Sequence, residues 1–144
     1  MGKKRIIKKS GGEADSGLKA RSISRTPKKK LTQGVLHIQA TYNNTRVTLT
    51  DTKGGVAIWS SSGSLGFKGA KKGTPFAAAK VGELVAEKAL LMGLKDVHAV
   101  INGVGSGRES SLRAFSGKGI DVLSIKDVTP VPHNGPRPRK PRRV

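Results

Sequence analysis

The sequence predicts an α/β domain with a mixed five-stranded sheet, an N-terminal antiparallel meander and two crossover helices. Three β-branched runs come first, and helix, strand, helix and strand then follow in turn. Strands joined by short turns pair antiparallel, whereas a strand that returns after a helix pairs parallel. The charge pattern sets the limits of the domain, because the excess of basic residues lies in two flanking arms, residues 1–34 and 133–144.

The meander is predicted from the alternation of apolar and polar residues in VLHIQATYNNTRVTLTD. Alternate residues of its first strand, ending at Tyr42, fall on one face. Because asparagine tolerates positive φ, Asn43 and Asn44 suit the hairpin turn that follows. DTKGG is a second turn, and VAIWSSSG is a third strand in which Ile58 lies opposite Trp59.

A glycine- and lysine-rich loop, GSLGFKGAKKGT, separates the meander from the first helix and contains little to bury. Thr74 suits the N-cap of that helix, Pro75 suits its first position, and Gly93 ends it. The helix, PFAAAKVGELVAEKALLMG, has an apolar side that includes Leu91. Its small residues, among them Gly82, would let it lie close on the sheet.

The remaining elements are a fourth strand, DVHAVING, a second helix, RESSLRAFSG, and a fifth strand, IDVLSIKDVTP. The loop GVGSGRE leads into the second helix, and its glycines permit a tight turn. Ser106 and Glu109 fit the S-x-x-E capping box. The helix dipole and the charge of Arg108 make this helix end attractive to an anion, such as one phosphate of a nucleic-acid backbone.

The charge of the chain points to a polyanionic partner. The 144 residues include 28 Lys and Arg against 9 Asp and Glu, which gives a net charge of +19. Arms with so little apolar content cannot offset the entropy of ordering, so we expect both to be disordered alone. The predicted organisation is a basic N-terminal extension (1–34), an α/β RNA-binding domain (35–132) and a basic, proline-rich tail (133–144).

Several other classes of protein are disfavoured by the sequence. No apolar run approaches the roughly 20 residues of a membrane span, and the N-terminus lacks the apolar core of a secretory signal. There are no cysteines, and His37, His98 and His133 are far apart, so we expect no metal site. No serine or histidine stands in a recognisable nucleophile setting. We therefore expect a cytoplasmic protein that is not an enzyme and has no cofactor.

Two alternatives to an RNA-binding protein stay open on the residues alone. A nucleotide-binding enzyme would use the glycine loop, but Gly107 comes one residue early for G-x-G-x-x-G, and GAKKGT lacks the P-loop frame. A basic DNA-packaging protein fits the composition, although neither helix suits the major groove. Aromatic residues that could stack on single-stranded bases are scarce. Recognition of the backbone and shape of a folded RNA by loops and arms is therefore favoured.

Four segments resemble the eleventh protein of the small ribosomal subunit in its bacterial form: IQATYNNTRVTLTD, GFKGAKKGTPFAA, GSGRESSLRAF and IKDVTPVPHNG. The resemblance runs from about Gly34 to Val144, and residues before it are similar only in being basic. Two departures are visible. Val104 stands where the family usually has proline in its G-P-G-S-G-R-E loop, and Pro136 takes the position of a cysteine in the tail.

The resemblance implies a three-layer α/β fold and a structural role on the platform of the small subunit. It implies that the protein binds small-subunit ribosomal RNA, supports subunit assembly, and neighbours the seventh and eighteenth proteins of that subunit. It also implies that the protein helps line the messenger exit cleft, which holds the Shine–Dalgarno helix, with messenger RNA nearby. A bacterial ribosome is favoured over an organelle ribosome, and no small-molecule substrate or membrane partner is expected.

The residues expected to contact ribosomal RNA fall into two groups. In the domain they are polar or basic residues of turns, loops and the second helix: Asn43, Asn44, Lys68, Lys71, Lys72, Ser106, Arg108 and Arg113. In the arms they are Lys28, Lys29, Lys30, His133, Asn134, Arg137, Arg139, Lys140, Arg142 and Arg143. The prolines of the tail keep it extended and lower the entropy lost on docking.

The pair Asn134-Gly135 carries a separate chemical prediction. Glycine leaves the backbone nitrogen free to reach the Asn134 side-chain carbonyl, so cyclisation and isoaspartate formation are easy in a flexible chain. Peptide mapping of aged protein should find isoaspartate at this position. Recovery of unmodified Asn134 alone would leave an ordinary Asn-Gly turn.

Overall fold

The computed structural model describes residues 30–143, and at its centre is a five-stranded mixed sheet with the strand order β3-β2-β1-β4-β5. The strands are β1 (Gln33–Ala40), β2 (Thr45–Thr50), β3 (Val56–Ser61), β4 (Asp96–Asn102) and β5 (Asp121–Asp127). The helices are α1 (Pro75–Leu91) and α2 (Gly107–Ser116), and a 3-10 helix (Gly69–Gly73) precedes α1. Residues 1–29 of the extension predicted at 1–34, with the sites expected at Lys28 and Lys29, lie outside the described residues. Gln33 and Gly34, which were assigned to the extension, belong to β1.

Strand pairing confirms the predicted meander and crossovers. β1 pairs antiparallel with β2, and β2 pairs antiparallel with β3. β4 pairs parallel with both β1 and β5, with α1 leading into β4 and α2 leading into β5. The predicted α/β class with a mixed five-stranded sheet is therefore confirmed. Across residues 30–143 there is no helix with the length and apolar character needed to cross a bilayer.

The core lies between one face of the sheet and the two helices. Leu36 and Ile38 of β1, Leu49 of β2 and Ile101 of β4 are buried on this face. Both helices pack on it, and they also pack against each other. The described residues therefore form two layers, where the resemblance implied three. The reason is chemical, because the opposite face presents exposed polar side chains, such as His37, which a third layer of helix would have to desolvate.

The boundaries of α1 follow from local sequence as predicted. The Thr74 hydroxyl accepts a hydrogen bond from the backbone N–H of Ala77 at 3.3 Å, and Pro75 occupies the first helical position. Gly93 follows the helix with φ of +85°, a conformation that favours glycine. The N-cap, the first-turn proline and the glycine that ends the helix could thus all be predicted from the residue types.

Some predicted side-chain placements are wrong. Tyr42 does not continue the apolar face of β1, because the strand ends at Ala40 and the tyrosine is 78% exposed in the turn. Leu91 lies in the last turn of α1 and is also exposed. Gly82 brings α1 close to α2 rather than to the sheet, since a Cβ on this glycine would overlap the Ser111 carbonyl.

The loop from 63 to 74 contains more buried side chains than predicted. Leu65 and Phe67 are both buried in the core. The Phe67 ring meets the Phe76 ring edge to face, with 6.1 Å between the ring centroids. This packing anchors the loop against the start of α1. It therefore fixes the backbone from which the lysines after Phe67 extend.

Candidate nucleic-acid interface

Four connecting segments meet at one edge of the sheet, and we call them together the carboxyl edge. They are the turn 41–44, the loop 69–74, the loop 103–106 and the segment 127–129. β1, β4 and β5 are parallel to one another, so their carboxyl ends lie at the same edge. Both helices also begin there, which directs the positive ends of two helix dipoles towards this edge.

The turn 41–44 is closed by a threonine rather than by an unusual asparagine conformation. The backbone N–H and the hydroxyl of Thr41 both donate to the Asn44 carbonyl, at 2.9 Å and 3.0 Å. The Thr41 hydroxyl also accepts from the Asn44 N–H at 3.1 Å. The predicted use of positive φ is wrong, because Asn134 is the only non-glycine residue among 30–143 with positive φ. Asn43 is left exposed at the tip of the turn.

Glycines let the two neighbouring loops sit directly on this turn. A Cβ on Gly73 would overlap the carbonyl of Tyr42, and a Cβ on Gly105 would overlap the carbonyl of Thr41. The N–H of Gly105 donates to the Ala40 carbonyl at 2.9 Å. The glycine loop therefore packs against its own chain, and its glycines serve this close approach of backbone to backbone.

Ser106 links the two loops instead of capping its helix. Its hydroxyl donates to the Gly73 carbonyl at 2.9 Å and makes no bond to the first turn of α2. Its backbone is already helical, with φ of −67° and ψ of −10°. The predicted capping box with Glu109 is therefore wrong, because the hydroxyl is used in a contact between residues distant in sequence.

Arg108 lies at the carboxyl edge but is held by partners within the chain. Its guanidinium donates to the Asp127 carboxylate and to the Gly103 carbonyl, and to the Thr129 hydroxyl at 3.1 Å. The Thr129 hydroxyl and N–H in turn donate to Asp127, at 2.6 Å and 2.9 Å. Arg108 thus ties the 103–106 loop to the segment after β5, and any phosphate contact must use its remaining N–H groups.

The bonds around Asp127 stabilise its charged form. The hydroxyl and the N–H of Thr129, followed by Arg108, lower the pKa of Asp127 from 3.8 to about 2. A carboxyl group with a depressed pKa stabilises the fold above its unfolded pKa, and that contribution is lost as pH falls through the folded pKa. This network should therefore stabilise the fold above about pH 4 and contribute nothing below about pH 2.

An Asp127→Asn variant tests this pH dependence. Its melting temperature should lie below that of the parent protein above pH 4, and the difference should shrink between pH 4 and pH 2. Circular dichroism melts over this range give the measurement, with Asp121→Asn at the other end of β5 as the control. A difference that stays constant down to pH 2 would contradict the assignment.

The lysines of the 3-10 helix lie beside the turn. Lys71 and Lys72 precede Gly73, whose Cβ position is 3.5 Å from the Cα of Asn43. Lys68 comes just before the helix and, like Lys71, is exposed. The structure therefore brings the lysine loop, the asparagine turn and Ser106 to one surface.

The tail leaves the domain from this same edge. The N–H of Val128 donates to the Ile101 carbonyl at 2.9 Å and fixes the end of β5. From Pro130 to Arg143 every residue is exposed, and no helix or strand forms. Asn134 has φ of +56°, and the Cβ position of Gly135 is 2.9 Å from Pro132, which indicates a local bend. Isoaspartate at Asn134 stays a prediction. The basic residues that follow, from Arg137 to Arg143, are presented to solvent beyond the carboxyl edge.

Two predicted site residues, Lys30 and Arg113, do not lie at the carboxyl edge. Lys30 precedes Leu31, whose N–H donates to the Met92 carbonyl at the amino end of the sheet. β1 has eight residues, so Lys30 lies about 26 Å or more from the carboxyl edge. Arg113 is exposed on α2, about 9 Å along the axis from the first residue of that helix.

One surface was missed by the reasoning from sequence. The face of the sheet opposite the helices is open, and Trp59 is 56% exposed on it. The guanidinium carbon of Arg46 lies 6.0 Å from the centroid of the Trp59 ring. The alternation of Ile58 and Trp59 already separated the two faces. It could not show that both helices would cover the same one.

Comparison with known proteins gives a consistent result. The family model described as Ribosomal protein S11 matches residues 34–143. Small ribosomal subunit protein uS11 of Acaryochloris marina (strain MBIC 11017) is 52% identical over 124 residues, which are 86% of this chain and 95% of that protein. The uS11 protein of Rippkaea orientalis (strain PCC 8801 / RF-1) is 52% identical over 117 residues, 81% of this chain and 90% of its own. That of Solibacter usitatus (strain Ellin6076) is 54% identical over 126 residues, 88% of this chain and 93% of its own.

Proposed function

This chain belongs to the ribosomal protein S11 family, and we propose that it binds small-subunit ribosomal RNA through the carboxyl edge and the tail that leaves it. As a member of this family it is a structural, non-enzymatic component of the ribosome. The observation that carries the proposal is the gathering of Lys71, Lys72 and the asparagine turn at the edge where both helices begin and the tail departs.

Each part of the carboxyl edge offers RNA a different interaction. The lysines supply positive charge, and the first turns of α1 and α2 supply dipoles that favour an anion. Asn43 presents an amide that can donate to a phosphate or accept from a ribose hydroxyl. Because the loops are seated on one another by glycine contacts, these groups keep fixed spacings. The edge is therefore suited to the shape of a folded RNA backbone.

The tail extends this interface along the RNA. Its four arginines and one lysine release counterions when they neutralise phosphates, which is the dominant source of affinity for such segments. Its prolines restrict the free chain, so less conformational entropy is lost on docking. Arginine also binds phosphate in bidentate geometry, which lysine cannot do.

The finer placement is proposed from the family resemblance. The relatives are named as small-subunit proteins, and we place this chain in the same subunit, on the platform of a cytoplasmic ribosome. There it would support assembly, neighbour the seventh and eighteenth proteins, and help line the messenger exit cleft.

The alternative function, a nucleotide-binding enzyme, is disfavoured because Gly103 and Gly105 of the glycine loop pack against the backbone of residues 40 and 41.

A double variant, Lys71→Gln with Lys72→Gln, tests the carboxyl edge. The affinity for a folded small-subunit RNA fragment should fall, and the slope of log Kd against log salt should decrease by about 1.4 to 1.8, since each phosphate contact contributes about 0.7 to 0.9. Filter binding across a salt series gives both quantities. Lys53→Gln with Lys95→Gln removes the same charge at the opposite edge and is the matched control. Equal slopes for the two variants would rule out the edge as the contact surface.

A further inference from the structure

The open face of the sheet, which the two helices leave uncovered, carries the only tryptophan of the chain. We infer that this face binds an unpaired segment of RNA, with one base stacked on Trp59. The inference rests on the proposed binding of ribosomal RNA and adds a second surface with a different chemistry. The carboxyl edge would hold folded backbone, whereas the open face would hold exposed bases.

Strand register aligns a row of side chains across the whole open face. Paired residues of neighbouring strands point to the same side of a sheet. The row that contains the tryptophan runs from β3 to β5 through Trp59, Thr48, His37, Val100 and Lys126. With strands about 4.8 Å apart, this row is about 19 Å long. It therefore forms a continuous track from an aromatic ring at one side to an ammonium group at the other.

Trp59 is positioned as a stacking platform. It is 56% exposed on the open face, so more than half of the side chain is available to a ligand. The Arg46 guanidinium lies 6.0 Å from the ring centroid and can restrain the indole by a cation–π contact. Arg46 is itself exposed, so it can also stack on a neighbouring base or pair with a phosphate. Sheet faces that display aromatic side chains in this way are a known solution for binding unpaired RNA.

The polarity of the open face favours RNA over a protein segment. His37 and Gln39 are exposed beside the half-buried Thr48, so hydrogen-bonding groups occupy the middle of the face. An apolar helix docked there would desolvate the Gln39 amide without offering it a partner. The carboxylates of the face, Asp96 and Asp121, stand together at its amino end. The half nearer the carboxyl edge therefore has the positive charge of Arg46 and Lys126 to attract phosphates.

The open face is also continuous with the carboxyl edge. On the open face, the last row before the turn 41–44 and the loop 103–106 consists of Arg46, Gln39 and Asn102. An RNA strand that leaves a helix docked at the edge can therefore cross the sheet without turning around the domain.

Tryptophan fluorescence of the full chain tests this inference, since all indole emission comes from Trp59. The probe is a ten-nucleotide oligouridine. It is compared with inorganic polyphosphate of equal charge and with a ten-base-pair RNA duplex, at a salt concentration that suppresses contacts by the arms. Saturable quenching by oligouridine, with little from the other two, is the expected result. Equal quenching by polyphosphate or duplex would overturn the inference. Quenching by none of the three would also overturn it and would favour a neighbouring protein as the occupant.

Substitutions separate stacking from charge. Trp59→Ala should weaken binding of end-labelled oligouridine about 5- to 100-fold, whereas Trp59→Phe should keep most of the affinity. Leu91→Ala removes an exposed apolar side chain at the end of α1 and should change nothing. Equal affinity for Trp59→Ala and the parent would refute the stacking contact.

The two proposals can fail independently. The Lys71→Gln, Lys72→Gln variant should keep the oligouridine quenching while it loses salt slope on the folded RNA fragment. Loss of quenching in that variant would show that the oligouridine signal came from the carboxyl edge, and the open face would then be excluded. If the salt slope on the folded RNA fragment is unchanged and the quenching by oligouridine is intact, the carboxyl edge is rejected as a contact surface and the open face is retained.

Discussion

Deletion of residues 133–144 should prevent stable incorporation of this chain into small subunits while the domain stays folded. The segment contains five basic residues and no acid. If each neutralises one phosphate, counterion release at physiological salt makes their joint contribution to affinity about a thousandfold. A loss of this size is expected to convert a stoichiometric component into one that washes off at high salt.

The domain should tolerate this deletion because the tail takes no part in its core. Every described tail residue is exposed, and the last backbone bond that anchors β5 belongs to Val128. The melting temperature should therefore change little. Sedimentation of tagged protein after a high-salt wash, together with circular dichroism of the free domain, gives both readouts.

A charge-preserving variant separates charge from stiffness. Replacement of Pro136, Pro138 and Pro141 by alanine keeps all five basic residues and should weaken incorporation much less than the deletion. Stoichiometric, salt-resistant incorporation of the deleted chain would show that the tail is not an anchor.

A Gly105→Ala substitution should destabilise the domain by about 2–4 kcal/mol. The added Cβ would overlap the Thr41 carbonyl, and the neighbouring atoms are backbone of β1 and its turn, which cannot swing aside. Overpacking of this kind costs about 1–3 kcal/mol, and loss of the bond from the Gly105 N–H to the Ala40 carbonyl adds about 1 kcal/mol. For a domain of about 100 residues the melting temperature should fall by about 10–20 °C.

Gly63→Ala is the matched control for this effect. Its Cβ would meet only side-chain atoms at ordinary contact distance, the flexible Lys72 side chain at 3.7 Å and the Ser61 hydroxyl at 4.0 Å. It should therefore leave stability nearly unchanged. Similar melting temperatures for the two alanine variants would mean that the 103–106 loop is not seated on the turn as described.

Features fixed by local sequence were predictable. The alternation in β1 and β2 separated buried from exposed residues, and Thr74, Pro75 and Gly93 marked the limits of α1. These signals work because N-caps, first-turn prolines and terminal glycines act on backbone groups within a few residues. The position of the lysine loop before α1 followed from the same signals.

Features that depend on long-range contacts were not predictable. Ser106 fits a capping box, yet its hydroxyl bonds to Gly73, 33 residues away. The sequence predicts that Arg108 is an unpaired charge available to an anion, yet it pairs with Asp127, 19 residues away. In both cases a tertiary partner outcompetes a local one.

The arrangement of the layers also depends on long-range contacts and could not be predicted. Hydrophobic alternation identifies two faces of a sheet but does not say which face each crossover helix will cover. The open face, and with it the exposure of Trp59, appeared only when α1 and α2 were seen to pack together on one side.

Cross-linking of salt-washed small subunits, with the RNA-linked peptides of this chain identified by mass spectrometry, tests the central proposal most directly. Cross-links to ribosomal RNA are expected in the turn 41–44, the loop 69–74 and the tail 133–143, with the amino end of the sheet around Lys53 unlabelled. Cross-links confined to the amino end of the sheet or to the outer surface of α1, with the carboxyl edge and tail unmodified, would contradict it.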